Sequence, residues 1–107
     1  MGNPYTGEVT LVLDGQRRPM KLTLGALVEL EAALGADSLV ALVERFEAGR
    51  FSARDVMALI LAGLHGAGHD TTADALLRAD IEGGAVGASR AAARLLTLAF
   101  ALPEAPV

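Results

Sequence analysis

No cysteine and no tryptophan occur in the chain. That excludes a disulfide framework, a thiolate nucleophile and sulfur ligation of a metal, and it fits a reducing compartment. Aromatic residues are equally scarce, at 4% of a chain that is 52% hydrophobic. The expected core is therefore aliphatic, built from leucine, valine and alanine around Phe46, Phe51 and Phe100. A cationic excess is lacking too: 9 Lys+Arg stand against 13 Asp+Glu, for a net charge of −4. Counterion release from nucleic acid needs a concentrated basic face, so the balance argues against a dedicated nucleic-acid binder. The apolar runs are too short for a bilayer, and the first residues carry neither the basic nor the apolar region of a signal peptide. A soluble cytoplasmic protein is expected, with 107 residues forming a single domain over 1–107.

What is present reads as a mostly helical α+β fold. Residues 1–7, rich in glycine, asparagine and proline, form a flexible lead. A β-hairpin follows over about 8–22, where Val9, Leu11 and Leu13 fall on one face and Thr10 and Val12 on the other, and Asp14-Gly15 supplies a two-residue type I′ turn. That turn sets a register of Leu13 opposite Gln16, Leu11 opposite Arg18, Val9 opposite Met20 and Glu8 opposite Lys21. Pro19 then makes the second strand an edge.

Leu22 to Gly35 organises the rest. It is read as a helix over 24–34 with Thr23 as N-cap and Gly35 just past its end. On the helical wheel Leu24, Leu27, Val28, Leu30 and Leu34 form the apolar arc, Glu29 points away, and Glu31 falls inside the arc, either snorkelling or partly buried against a partner. Further helices are expected at about 38–48, capped by Asp37 or Ser38, at 53–65, at 71–81 and at 88–102. The second carries Leu39, Val40, Leu42, Val43 and Phe46 inward. Ser52 with Asp55 gives a capping box for the third, the most apolar helix, and Thr71 with Asp74 gives one for the fourth. The fourth presents Leu76, Leu77 and Ile81. The last carries Ala88, Ala91, Ala92, Leu95, Ala99 and Leu102 inward, and residues 103–107 are a short tail.

No constellation of residues carries chemistry. His65 and His69 have the spacing of two zinc ligands on one helical face, but Gly66 stands where a metalloprotease glutamate would be, and glycines interrupt the helix before His69. A histidine stabilised at a helix C-terminus is the simpler reading. Ser38, Ser52 and Ser89 sit in no nucleophile elbow. The segment 83–87 lacks the lysine of a phosphate loop, and the fourth helix is too acidic for a DNA-reading helix. Arg90 and Arg94, with Arg17 and Arg18, are the basic clusters, suited to a solvated face or an acidic protein partner. No catalytic residue, cofactor, metal or small-molecule substrate is assigned, and no enzyme activity is expected.

The order of parts is more distinctive than any motif. The strand opening Gly7-Glu8-Val9, the segment Leu22-Thr23-Leu24-Gly25-Ala26-Leu27-Val28-Glu29-Leu30-Glu31, and Phe51-Ser52-Ala53-Arg54-Asp55-Val56 leading into Ala62-Gly63-Leu64-His65-Gly66-Ala67-Gly68 together resemble a small family encoded in bacterial gene transfer agents, which are phage-like particles. The resemblance places that family with the tail assembly chaperones of long-tailed phages, and the family is also labelled a tail tube protein. It implies a non-enzymatic protein whose partners are the tape-measure protein and tail tube subunits, with no nucleic acid or membrane partner. The alternative it implies is a structural tail component that self-associates as a homo-oligomer. A small regulator that binds metal or DNA is the third reading. Thr23, Leu27, Glu31, Arg54, Arg90 and Arg94 are the candidate interaction or structural signature.

Overall fold

The computed structural model describes residues 7–34 and 39–100. The element order is β1 (Glu8–Leu13), β2 (Gln16–Lys21), α1 (Leu24–Leu34), α2 (Leu39–Glu47), α3 (Ala53–Gly66), α4 (Ala73–Arg78) and α5 (Gly84–Phe100). This is the expected hairpin followed by five helices. The readings for residues 1–6, the caps at Gly35, Asp37 and Ser38, and the segment 101–107 lie outside the described residues.

The hairpin has the register its turn dictates, with Val9 opposite Met20, Leu11 opposite Arg18 and Leu13 opposite Gln16. Asp14 and Gly15 both take positive φ, 50° and 79°, as a type I′ turn requires. Val9, Leu11, Leu13 and Met20 are buried on one face. The sheet is two-stranded, with Pro19 on an open edge.

α3 is the centre of the packing, touched by α1, β2, α4 and α5. Val56, Leu59, Ile60, Ala62 and Leu64 are buried along it. Two glycines let its neighbours come close. A Cβ at Gly63 would stand 2.8 Å from Leu95 Cδ1 and 3.0 Å from Met20 Cβ, and one at Gly66 would collide with the Lys21 carbonyl oxygen. Bare backbone at these points lets α5 and β2 settle onto α3.

The same contact decides the orientation of α1. A Cβ at Gly66 would also be 3.2 Å from Ala26 Cβ, so α1 approaches with its small residue toward α3, and Ala26 and Leu30 are its buried residues. The expected arc is therefore rotated: Leu24 is 79% exposed and Val28 62% exposed. Glu29, expected on the far side, faces α3. Glu31, expected within the apolar arc, is exposed.

In α2 Leu42 is buried, whereas Val40, expected inward, is 66% exposed. Gly49, at φ 71°, ends the helix: Arg50 N–H donates to Arg45 O and Gly49 N–H to Phe46 O. Gly68, at φ 89°, ends α3 in the same way, with His69 N–H donating to Leu64 O.

α4 and α5 differ from expectation in their bounds. The N-cap of α4 is Thr72, whose hydroxyl accepts from Ala75 N–H, and the helix stops at Arg78. It cannot reach Ile81 because β1 claims that segment. Asp14 N–H donates to Asp80 O (2.8 Å), Asp80 N–H to Asp14 Oδ1 (2.9 Å) and Glu82 N–H to Val12 O (3.0 Å), and Ile81 bridges to Leu13. Leu76 is buried while Leu77 is 67% exposed. α5 begins at Gly84, ahead of the expected start, because Gly83 and Gly84 turn the chain at positive φ. Gly87 leaves room for the carbonyl of Glu82, which would lie 2.6 Å from a Cβ there.

Candidate interaction surface

The predicted signature residues do not converge. Thr23 is a structural cap, its Oγ1 accepting from Ala26 N–H at 3.1 Å. Leu27 is half-buried beside it, and Glu31 is exposed on the opposite side of the helix from Ala26. Arg54 donates to the carbonyl of Ala33 near the end of α1 at 3.4 Å, a long contact that a surface arginine makes at little gain. Arg90 and Arg94 are both exposed but serve different surfaces. Arg94 lines a polar hollow with Arg17, Glu8 and Glu82, so acidic groups interleave with this basic pair. Arg18 donates to Gln16 instead. The basic cluster expected from the sequence is thus divided.

Arg90 borders an apolar surface. Along α5 a stripe of Ala85, Ser89, Ala93, Leu96 and Phe100 runs at helical spacing, next to the face buried on α3. α2 and the turn after it stand across from this stripe and supply Val43, Phe46 and Phe51. The rings of Phe46 and Phe51 stack, with centroids 4.4 Å apart and planes within 8°. Ala85, Ser89 and Ala93 make a floor of small side chains, Leu96 and Phe100 extend it, and the aromatic pair forms one wall. The result is an open groove along α5 with Arg90 on its rim at one end and Glu47 at the other.

The aromatic wall is held from behind by an ion pair. Arg45 donates through Nη2 to Asp55 Oδ1 (3.1 Å) and through Nε to Asp55 Oδ2 (3.2 Å). Asp55 is 6% exposed and is also the capping-box residue of α3, accepting from Ser52 N–H at 2.9 Å while Ser52 Oγ accepts from Asp55 N–H. Burial acts to raise its pKa, but the hydrogen bonds from Arg45 and Ser52 and the arginine's charge outweigh it, so the carboxyl titrates below its ordinary value. The carboxylate thus fixes the end of α2 relative to the start of α3, and the Phe46–Phe51 stack with it.

His65 has a role the zinc reading did not foresee. Its Nδ1 lies 2.8 Å from both carboxylate oxygens of Glu29, and its Nε2 donates to the Thr71 carbonyl at 2.6 Å. Both ring nitrogens are engaged by oxygen, and Gly68 turns the chain before His69, so the two imidazoles do not share a helical face. Among the described residues no group of three His, Cys, Asp or Glu is placed to hold a metal ion. The position of His65 in the last turn of a helix was legible; the carboxylate from α1 was not.

No helix among the described residues is long and apolar enough to cross a membrane. No curated protein and no solved structure matches the chain. The family described as "phage tail tube protein, GTA-gp10" does match, over residues 6–102. With nearly the whole length matched, the chain belongs to this family of phage tail proteins.

Proposed function

We propose that this protein is a non-enzymatic tail assembly chaperone of a phage-like gene transfer particle, and that it holds helical segments of the tape-measure protein during tail morphogenesis. The observation that carries the reading is the open apolar groove along α5. A groove with small residues on its floor and an aromatic wall accepts an amphipathic helix through anchors at i, i+3, i+4 and i+7. A long helical protein awaiting assembly offers many such segments, and covering them keeps it from aggregating.

The family's description as a tube protein supports a second reading, a structural subunit retained in the particle. Subunit pairing through the hairpin edges is poorly served. Pro19 interrupts the edge of β2, and Ile81 and Glu82 occupy part of the edge of β1. Mass spectrometry of purified particles separates the two readings: a chaperone is absent, and recovery in stoichiometric amount would sink the chaperone proposal. Co-expression with the tape-measure protein of the same gene cluster is expected to raise that partner's solubility and to yield a co-purifying complex.

A further inference from the structure

The segment between α3 and α5 crosses the molecule as a strap. It leaves α3 at Gly68 (φ 89°) and joins α5 at Gly83 and Gly84 (φ 85° and 61°), so glycine hinges stand at both ends. Between them α4 has only six residues, and Leu76 is its one buried side chain. The strap forms one wall of an apolar cleft of about 260 Å³, supplying Leu76, Leu77 and Ile81 to it, across from Met57 and Ile60 of α3 and Ala88 of α5. The cleft shares Ala85 and Ser89 with the groove along α5.

The two ends of the strap are fastened by different chemistry. At the α5 end, backbone hydrogen bonds join Asp80 to Asp14 of the hairpin turn and Glu82 to Val12 of β1, with Asp14 Oδ1 accepting from Asp80 N–H. At the α3 end the Thr71 carbonyl is held by His65 Nε2, while His65 Nδ1 faces the carboxylate of Glu29. A carbonyl and a carboxylate oxygen only accept, so both ring nitrogens must carry a proton to satisfy both contacts. Neutral imidazole has one N–H; the Glu29 carboxylate is the stronger acceptor and keeps that proton on Nδ1, so the proton lost is the one on Nε2, which then turns a lone pair toward the Thr71 carbonyl.

We propose that His65 is a proton-dependent latch: the imidazolium ties α1 to the strap through Glu29 and the Thr71 carbonyl, and loss of its proton frees the α3 end of the strap to lift from the cleft. The charges that act on the ring are Glu29 from α1 and Asp70 from the strap, both favouring the charged form. β2 meets this end of α3 through the Lys21 carbonyl at Gly66, and α5 meets α3 a turn earlier through Leu95 at Gly63. The latch is therefore closed on the acid side and opens as pH rises. Opening lengthens the apolar surface that continues into the groove, whatever occupies that groove.

Because the chain has no cysteine, a single Met57→Cys reports on the cleft. Its modification rate by a methanethiosulfonate reagent, divided by that of Ala32→Cys on the exposed face of α1, removes the intrinsic pH dependence of the thiol. The normalised rate is expected to rise severalfold, up to about fivefold, between pH 6 and pH 9, at the low end of the range of coupling between linked sites. In a His65→Ala background it should be high and flat across that range. Circular dichroism should be constant throughout. An unchanged normalised rate, a rise that persists in His65→Ala, or a rise that follows loss of helical signal would each overturn the latch.

Discussion

Glu29 and His65 are 36 positions apart and meet with both carboxylate oxygens 2.8 Å from one ring nitrogen. The pair joins α1 to the end of α3, and the Thr71 carbonyl extends it to the chain beyond. The backbone hydrogen bond to Thr71 and the side-chain bond to Glu29 outweigh desolvation and raise the pKa of His65. A raised pKa in the folded state means that protonation and folding favour each other. The stabilisation is fully present below the histidine's unfolded value and disappears as pH rises through its folded value. Both side chains are partly open to solvent, at 30% and 40% exposure, so the contribution is screened to about 1 kcal/mol or less. His65→Ala should lower the urea midpoint at pH 5.5 and have a much smaller effect at pH 9. Equal losses at both values would mean that the ring contributes by packing alone.

Asp55 has the opposite sign. Its folded pKa is depressed, so its contribution is present above the unfolded carboxylate value and is lost as pH falls through the folded one. Asn at this position removes the charge but preserves the shape, leaving Arg45 without its carboxylate. Asp55→Asn is expected to cost about 2 to 3 kcal/mol at pH 7 and to flatten the acid limb of the stability profile. Chemical denaturation at pH 7 and pH 3 reads both effects. A cost that is the same at the two pH values would assign the loss to capping and leave the ion pair without a role.

The glycines of α3 and α1 should respond in a fixed order. A methyl group at Gly66 collides with backbone, the Lys21 carbonyl, which cannot move aside without shifting β2. At Gly63 the obstacles are the Leu95 and Met20 side chains, and the leucine can adjust. At Gly25 only Thr23 Oγ1 lies near, at 3.9 Å. Gly66→Ala is expected to cost about 3 kcal/mol or more and Gly63→Ala about 1 to 2 kcal/mol. Gly25→Ala should be neutral or stabilise by up to about 0.5 kcal/mol through helix propensity. Thermal melts of the three variants test the order, and a stable Gly66→Ala would contradict the close approach of β2 to α3.

How far the sequence reveals this molecule depends on whether a feature is set locally. Asp14-Gly15 fixes the hairpin because both residues must take positive φ, and every predicted pair follows from that turn. Ser52 and Asp55 announce the start of α3 for the same local reason. The face of α1 is different. Counting leucines places the arc on Leu24, Leu27, Val28, Leu30 and Leu34, of which Leu30 is fully buried, but the contact that orients the helix involves Ala26 and Gly66, two small residues that leucine counting passes over. The partner of His65 was hidden by the same error, because rotating α1 moves Glu29 from the far side to the α3 side. The bound of α4 was hidden because hydrogen bonds from the hairpin, a distant part of the chain, capture Asp80 and Glu82. The groove is likewise a tertiary product, since Phe46 and Phe51 become a wall only once Arg45 and Asp55 have joined their helices.

The groove gives the functional reading its sharpest test at Ala93. This residue lies where the two halves of the groove meet, lining the hollow with Phe46 and Phe51 as well as the one with Val43 and Phe100. It is only half-buried, so a longer polar side chain can project into the open groove without entering the core. Ala93→Gln should leave the thermal midpoint within a few degrees, as substitutions outside a packed core do, while obstructing any helix laid along α5. Co-expressed tape-measure protein is then expected to fall back to the solubility it has alone. Leu24→Ser with Val28→Ser removes a comparable amount of exposed apolar surface from α1, away from the groove, and should leave the partner's solubility unchanged. If Ala93→Gln protects the partner as well as the parent protein does, the groove is not the binding surface. If instead the α1 double substitution abolishes protection, the docking site lies on the stripe that Ala26 and Gly66 turn toward solvent.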